Sequence, residues 1–318
     1  MLGEIYSPNP EDHVLVIGGA GVDIVGNLDG EFVSGTSNPG HIYSSFGGVA
    51  RNVAENLAHL GQSVSFITVL GEDEVGDQLL EELNESGIDT SAIMRTGEYA
   101  TGSYLAVINA DGELQFALDD MRATSVLTPS YLRKQGNLFR EASLLFLDAN
   151  LRPNTMRTAI SMATKANIPI CADPTSTSLA ERLVPYLDQL YLITPNNVEA
   201  SILCDPPLEV KNRDQAMNAA KCLVGGGVGI AIVTMAELGL CYATSETNGH
   251  IPAINTEIVD PTGAGDALSA TIIFALLNSI SIDDAVRLAV SAASLTLRTK
   301  GTVVPDLSVE KLYNQLVI

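Results

Sequence analysis

Apolar residues follow two rhythms along this chain. Short unbroken runs at residues 13–17, 64–70, 144–147, 168–172, 191–193 and 230–234 read as buried strands. Between them the spacing changes to that of a helix. Val49, Val53, Leu57 and Leu60 share one helical face, with Gly61 as the stop, and Val75, Leu79, Leu80 and Leu83 mark a second helix closed by Gly87. Strand and helix alternate to the end of the chain. This rhythm predicts an α/β fold with a doubly wound, mostly parallel sheet flanked by helices.

Two regions break the pattern. Residues 26–46 are rich in Gly, Ser and Asn and have no helical period. Residues 101–119 read as a hairpin: 103–108, a turn at Asn109-Ala110-Asp111-Gly112, then 114–118. In the second arm Leu114, Phe116 and Leu118 alternate with Gln115, Ala117 and Asp119, so one face is apolar. The segments 26–46 and 101–120 are expected to pair into a small β lid over a site. Ordinary surface hairpins are the other reading. No repeat, low-complexity tract or linker is visible, so residues 1–318 are read as one domain.

Composition narrows the classes. Of 318 residues 46% are hydrophobic and 17% charged, enough to bury a large core. The formal charge of −21 has the wrong sign for a nucleic acid backbone or an anionic membrane surface. No apolar run reaches the roughly 18 residues of a membrane span. Residues 1–10 hold a glutamate and no basic cluster, unlike a secretory or transit segment, so a cytoplasmic protein is expected. Cys171, Cys204, Cys222 and Cys241 form no C-x-x-C pair; Cys171 and Cys241 lie in strand-like runs where a buried thiol is the default. That usage fits a reducing compartment, with no disulfide framework and no zinc site.

The candidate chemistry is concentrated at Asp260-Pro261-Thr262-Gly263-Ala264-Gly265-Asp266, directly before an apolar segment at 267–277. A glycine-rich turn entering a helix presents unpaired N–H groups and the positive end of the helix dipole, an anion site suited to phosphate. A carboxylate beside a bound phosphate is not an anion ligand. Asp266 makes sense there as a base that takes a proton from an attacking hydroxyl. The alternative is a helix-capping aspartate. No G-x-x-x-x-G-K-[S/T] is present, and Gly18-Gly19-Ala20-Gly21 lacks the spacing of a dinucleotide fingerprint.

Other residues agree with phosphoryl transfer. Gly47-Gly48 precedes a helix carrying Arg51, Asn52 and Asn56, where a small polyol could approach the backbone and Asn52 could bond its hydroxyls. Asp23 follows the first strand, near the edge where ligands bind in open α/β sheets, and could accept two vicinal hydroxyls. Asn196 and Glu199 open a helix after another strand; they could hold hydrated Mg²⁺ or form a cap.

These motifs resemble the PfkB (ribokinase-like) carbohydrate and nucleoside kinases. Gly47 through Gly61 resembles the family's N-terminal signature, Asp260 through Asp266 its C-terminal signature, and Asn196 to Glu199 its N-x-x-E element, in the family's order across residues 13–315. The resemblance implies a ribokinase-like fold and ATP with Mg²⁺. It implies Asp266 as general base, and Gly263, Ala264 and Gly265 as the anion hole. Asp23, Gly47, Gly48 and Asn52 fall where the family grips the sugar, with Asp120 and Asn150 as further substrate-side positions. Asn196, Glu199, Thr234, Gly239 and Thr262 fall on the nucleotide side, Asn196 and Glu199 organising Mg²⁺. Ala236 stands where the family often has glycine, and Pro261 where threonine is commoner. Asp260 and Thr262 match positions that in many members bind a monovalent cation, usually K⁺, with carbonyls near Lys300-Gly301.

Within the family, the pseudouridine kinases are most alike. Ser37-Asn38-Pro39-Gly40-His41-Ile42, Gly102-Ser103-Tyr104-Leu105, Asp119-Asp120-Met121 and Asp148-Ala149-Asn150 carry that likeness. The implied reaction is in-line transfer of the ATP γ-phosphoryl group to a primary hydroxyl, the 5′ oxygen of a nucleoside. Two alternatives stay open: a relative acting on ribose, adenosine or a ketohexose, and a catalytically silent nucleoside-binding regulatory protein. The apolar face of the 114–118 arm suggests a homodimer.

Overall fold

The computed structural model describes residues 12–109 and 113–316. The expectations for residues 1–10 and for Ala110, Asp111 and Gly112 of the hairpin turn lie outside the described residues. The first half runs β1 (His13–Ile17), β2 (Gly21–Leu28), β3 (Gly40–Gly47), α1 (Val49–His59), β4 (Ser63–Ile67), β5 (Val69–Gly71), α2 (Glu74–Glu85), β6 (Met94–Thr96), β7 (Gly102–Ile108) and β8 (Leu114–Asp120). The second runs α3 (Pro129–Lys134), α4 (Gly136–Glu141), β9 (Leu144–Asp148), α5 (Pro153–Ala166), β10 (Ile170–Asp173), β11 (Leu192–Ile193), α6 (Asn197–Leu203), α7 (Arg213–Gly225), β12 (Ile230–Thr234), β13 (Leu240–Ala243), β14 (Asn248–Ile251), α8 (Ala264–Leu277), α9 (Ile282–Leu297) and α10 (Val309–Leu316).

The main sheet has the order β14-β13-β12-β11-β10-β9-β1-β4. Pairing is parallel from β4 to β12, and only β13 and β14 run antiparallel. Helices cover both faces, which is why the central strands read as unbroken apolar runs. Alternation within β1 shows the division. Leu15 and Ile17 join the layer packed by Met156 and Ala159 of α5 and Ala216 and Ala219 of α7. Val14 and Val16 join the layer packed by Val53 and Leu57 of α1 and Ile272 and Ile273 of α8. Helix α8 is apolar nearly all round because it lies between the sheet, α1 and α9. No described helix is long and apolar enough to cross a membrane.

The two irregular regions do meet. They form a four-stranded sheet, β3-β2-β7-β8, with β2 antiparallel to β3, parallel to β7, and β7 antiparallel to β8. This sheet starts at Gly21, earlier than residue 26, so Asp23 belongs to it and not to a loop after β1. The run at 64–70 is likewise two strands. Thr68 breaks it, donating Oγ1–H to Gly18 O at 2.7 Å, and β5 leaves the main sheet to pair with β6.

Candidate active site

The carboxyl ends of β1, β9, β10 and β11 deliver Gly18, Asp148, Asp173 and Thr194 to one edge. Helix α1 begins there without a capping side chain of its own. Asp148, fully buried, supplies the cap from across the sheet: its Oδ2 accepts from Ala50 N at 3.1 Å and from Gly19 N at 2.8 Å. Burial raises the Asp148 carboxyl above its ordinary range, against the pull of these donors. The double glycine before α1 has two separate causes. A Cβ on Gly47 would fall 2.2 Å from the Asp23 carboxylate. Gly48 has φ +99°, and a Cβ there would lie 2.7 Å from Gly19 O.

On the opposite side, α8 starts at an N-cap glycine, Gly263, with φ +81°. A Cβ on Gly263 would lie 2.0 Å from the Thr302 carbonyl oxygen. Asp266 is in the first turn but does not cap the helix. Its Oδ2 instead accepts a 2.7 Å hydrogen bond from Asn52 Nδ2. Only 8% exposed, the Asp266 carboxyl is pushed up to about 7 by burial; the Asn52 bond opposes the rise, Asp23 and Asp148 add to it, and Arg51 opposes it. A carboxylate poised near neutrality beside a helix N-terminus can accept a proton from a hydroxyl while the N–H groups stabilise phosphoryl oxygens.

Asn52 is itself held. Its Oδ1 lies 3.1 Å from Arg51 Nη1 and 3.0 Å from Thr302 Oγ1. Arg51 Nη1 and Thr302 Oγ1 also reach Phe46 O, at 3.1 and 2.6 Å. Arg51 forms ion pairs with Glu55 and Glu82. An arginine donates only, so the amide oxygen must face Arg51 and the amide NH₂ must face Asp266. Arg51 therefore sets which end of Asn52 meets the carboxylate, and the Thr302 hydroxyl shares its one proton between Asn52 Oδ1 and Phe46 O; Thr302 carries no motif signal that marks it for this task.

Asp23 is 7% exposed and has no hydrogen-bond or ion-pair partner among the described residues. Its carboxyl is pushed up to about 6 by burial, with Arg51 opposing and Asp260 and Asp119 adding. Asn150 is oriented by Asp148, its Nδ2 donating to Asp148 Oδ2 at 3.2 Å, and its own Oδ1 has no donor among the described residues. Asp120 is not brought to this group. Strand pairing puts it on the opposite face from Asp23, and its carboxylate is held by Arg122 at 2.7 and 2.9 Å. Asp119, its neighbour, takes the inward face.

A cavity of about 830 Å³ opens beside Gly265. Asn196, Thr234, Ala236, Gly239, Ala264 and Gly265 line it, with Leu268, Val290 and Leu297 as apolar walls. The backbone bridge between Asn196 and Thr234 puts those two side by side. Ala236 has φ +47°, a left-handed conformation in which glycine carries no Cβ penalty. Thr262 does not line the cavity; its backbone N–H donates to Asp260 Oδ1 at 2.9 Å.

Asn196 and Glu199 make a full capping box. Asn196 Oδ1 accepts from Val198 N and Glu199 N, and Glu199 Oε2 from Asn196 N, each at 2.9 Å. That leaves one Glu199 oxygen for a ligand. Buried Asp173 lies close enough to feel the charge of Asp266 and Glu199, and burial first, then those charges, push it well above the ordinary range. Its only mark in the sequence is that, like Asp148, it ends an apolar strand. Two buried carboxylates with no basic partner among the described residues fit a hydrated Mg²⁺, which keeps most of its waters. Among the described residues no closed cluster of three or more ligating side chains exists. Asp260 is 2% exposed and receives Thr262 N–H, Tyr43 Oη–H at 3.2 Å and Gly301 N–H at 3.4 Å. All three donors are neutral, so its charge stays uncompensated and fits a monovalent cation.

Comparison with known proteins agrees with this geometry. The profile of the pfkB family carbohydrate kinases matches residues 11–308. The chain is 29% identical to the pseudouridine kinase of Escherichia coli over 94% of its length and 95% of that protein. It is 29% identical to the guanosine-inosine kinase of Exiguobacterium acetylicum over 92% of its length and 97% of that protein. The structure of Arabidopsis thaliana ribokinase superposes with a TM-score of 0.82 at 21% identity, over 98% of this chain and 100% of that one. The fold is ribokinase-like.

Proposed function

The chain belongs to the pfkB family of carbohydrate kinases, phosphotransferases that act on a hydroxyl group, and from that premise we propose a nucleoside as its substrate, specifically pseudouridine, phosphorylated at the 5′ oxygen by ATP. The observation that carries the mechanism is Asp266, buried in the first turn of α8 with a carboxyl near 7 and a hydrogen bond from Asn52. Asp23 and Asn150 receive the ribose hydroxyls. Asp266 takes the proton of the attacking hydroxyl as the new O–P bond forms. The N–H groups of residues 263–265 meet the charge on the transferred group; such donors are worth roughly 3 kcal/mol each. Nucleotide occupies the cavity between Thr234, Gly239 and α9. Glu199 and Asp173 would hold Mg²⁺, which neutralises phosphate charge when bound, and Asp260 a monovalent cation.

The four-stranded sheet serves as the lid that excludes water from this chemistry. Its outer face exposes Ile42 at 79% and Leu118 at 65%, and a second copy of the chain would cover them in a homodimer; Leu114, paired with Ile108 beyond a register shift, falls on the other face. Pseudouridine is favoured over ribose by the likeness to a nucleoside kinase over nearly the whole length of both chains.

The test is ADP release with Mg²⁺-ATP and K⁺ against pseudouridine, uridine, adenosine, inosine, ribose and fructose, with a mass check for the 5′-monophosphate. A clear kcat/KM preference for pseudouridine is expected. Preference for another sugar or nucleoside would overturn the substrate assignment and keep the kinase mechanism. ATP binding without turnover would favour the silent binder.

A further inference from the structure

We propose that Tyr104 and Asp119 are specificity-determining residues that read the –NH–C(=O)– edge of a nucleobase. The Tyr104 hydroxyl donates to the carbonyl, and the Asp119 carboxylate accepts from the ring N–H. This rests on the nucleoside assignment above.

Strand register supplies the geometry. Asp23 of β2 pairs with Tyr104 of β7, and Tyr104 pairs with Asp119 of β8. Residues directly opposite share a face, so all three side chains project from the inner face of the lid. The outer face is identified independently by its exposed Ile42 and Leu118. Two strand spacings put Asp119 about 10 Å from Asp23. If Asp23 holds the ribose, the next part of a nucleoside along that face is its base.

Neither group is spoken for. Among the described residues the Tyr104 hydroxyl and the Asp119 carboxylate have no hydrogen-bond or ion-pair partner, whereas the adjacent Asp120 is bound to Arg122. The three inner groups also sense one another. Tyr104 is raised by burial and by the charges of Asp23 and Asp119, which keeps its hydroxyl protonated as a donor. An ionised carboxylate accepts only. One donor beside one acceptor complements a lactam edge, as in pseudouracil or hypoxanthine. Adenine offers the same two groups in exchanged positions, its ring N1 accepting and its exocyclic amino group donating, so it fits only with the base turned. Of the nucleobase edges, the N1–H of pseudouracil has no counterpart in uridine, where that nitrogen carries the sugar.

The experiment compares kcat/KM of the wild type, Asp119→Ala and Tyr104→Phe on pseudouridine, its N1-methyl and N3-methyl derivatives, inosine and ribose. Asp119→Ala is expected to lose about 10–100-fold on pseudouridine or inosine, the worth of a hydrogen bond to a charged group, and mainly in KM. The loss on ribose, which has no base, is expected to be at least tenfold smaller. One of the two N-methylations should cost the wild type a similar factor and cost Asp119→Ala little more. Unchanged kcat/KM in Asp119→Ala, an equal loss on ribose, or a methylation penalty that persists in the variant would overturn the proposal and leave the nucleoside assignment standing. A wild type that accepts ribose and no nucleoside would remove both. Asp119 lies on the exposed lid strand, so circular dichroism and thermal midpoint should match the wild type.

Discussion

Asn52 Nδ2 and Asp266 Oδ2 lie 2.7 Å apart, joining α1 to α8 across 214 positions of sequence. Each half of the chain contributes one of the pair, so the proposed base is set only when both halves are assembled. The bond favours the ionised carboxylate, while burial favours the neutral one, and burial wins.

A base must be deprotonated to act. With Asp266 near 7 and Asp23 near 6, kcat/KM should fall as pH drops below about 7 and more steeply below about 6. Asp266→Asn should remove the ionisation near 7, leave the one near 6, and lower turnover at least ~100-fold, with ATP affinity by calorimetry little changed. Near-normal turnover in that variant would take Asp266 out of the role.

The same carboxylate works against the fold. Its folded value of about 7 exceeds the ordinary 3.8, so the folded state binds this proton more tightly than the unfolded state does. The stability it contributes is full below pH 3.8 and is lost as pH rises through about 7. Asp266→Asn should therefore raise the thermal midpoint more at pH 8 than at pH 5. An equal effect at both pH values would contradict the assignment of a raised carboxyl.

Thr302 positions Asn52 through Oδ1, so Thr302→Val loosens the amide without touching substrate. Weakening the Asn52 bond lets the Asp266 value rise, and the acid limb of kcat/KM should move to higher pH. Turnover should fall roughly tenfold or more from the displaced base. A variant with lower activity and an unmoved limb would point to a purely structural role.

The glycines of the anion loop should respond differently. Gly263→Ala meets the Thr302 carbonyl and a left-handed φ, costing at least about 1 kcal/mol for the backbone alone. Its thermal midpoint should drop. Gly265 has no atom within 4 Å of a new Cβ and lines the cavity, so Gly265→Ala should keep its midpoint and lose ATP affinity or turnover. A stability loss in Gly265→Ala would place its Cβ elsewhere.

If two lids meet through their apolar outer faces, Ile42→Lys with Leu118→Lys should yield a monomer in analytical ultracentrifugation at micromolar concentration. A wild type that is already monomeric there would end the dimer assignment.

The architecture was legible because buried parallel strands leave unbroken apolar runs, and Val14–Ile17 or Leu144–Leu147 need no partner to be read. The glycine-rich entry to α8 was legible because it is one contiguous stretch. Asp120 and Asp119 were not separable: a strand presents adjacent side chains to opposite faces, and which face is inward depends on a register that only pairing fixes. Thr302 and Asp173 act through partners distant in sequence, and a long-range contact leaves no local period. Asn196 and Glu199 were legible as a pair, yet the same spacing serves a capping box and a metal site, and the structure uses it first as a cap.

Phe46 O, at the root of β3, takes hydrogen bonds from both Arg51 and Thr302. Three residues further out on the same strand Tyr43 is tied to Asp260. The four-stranded sheet is thus clamped along its base like a leaf spring in a vice. Travel at its tip must come from bending of β2, β7 and β8 beyond the clamp, and the stiffness of that blade, more than any swivel at Gly47-Gly48, would govern how fast product escapes.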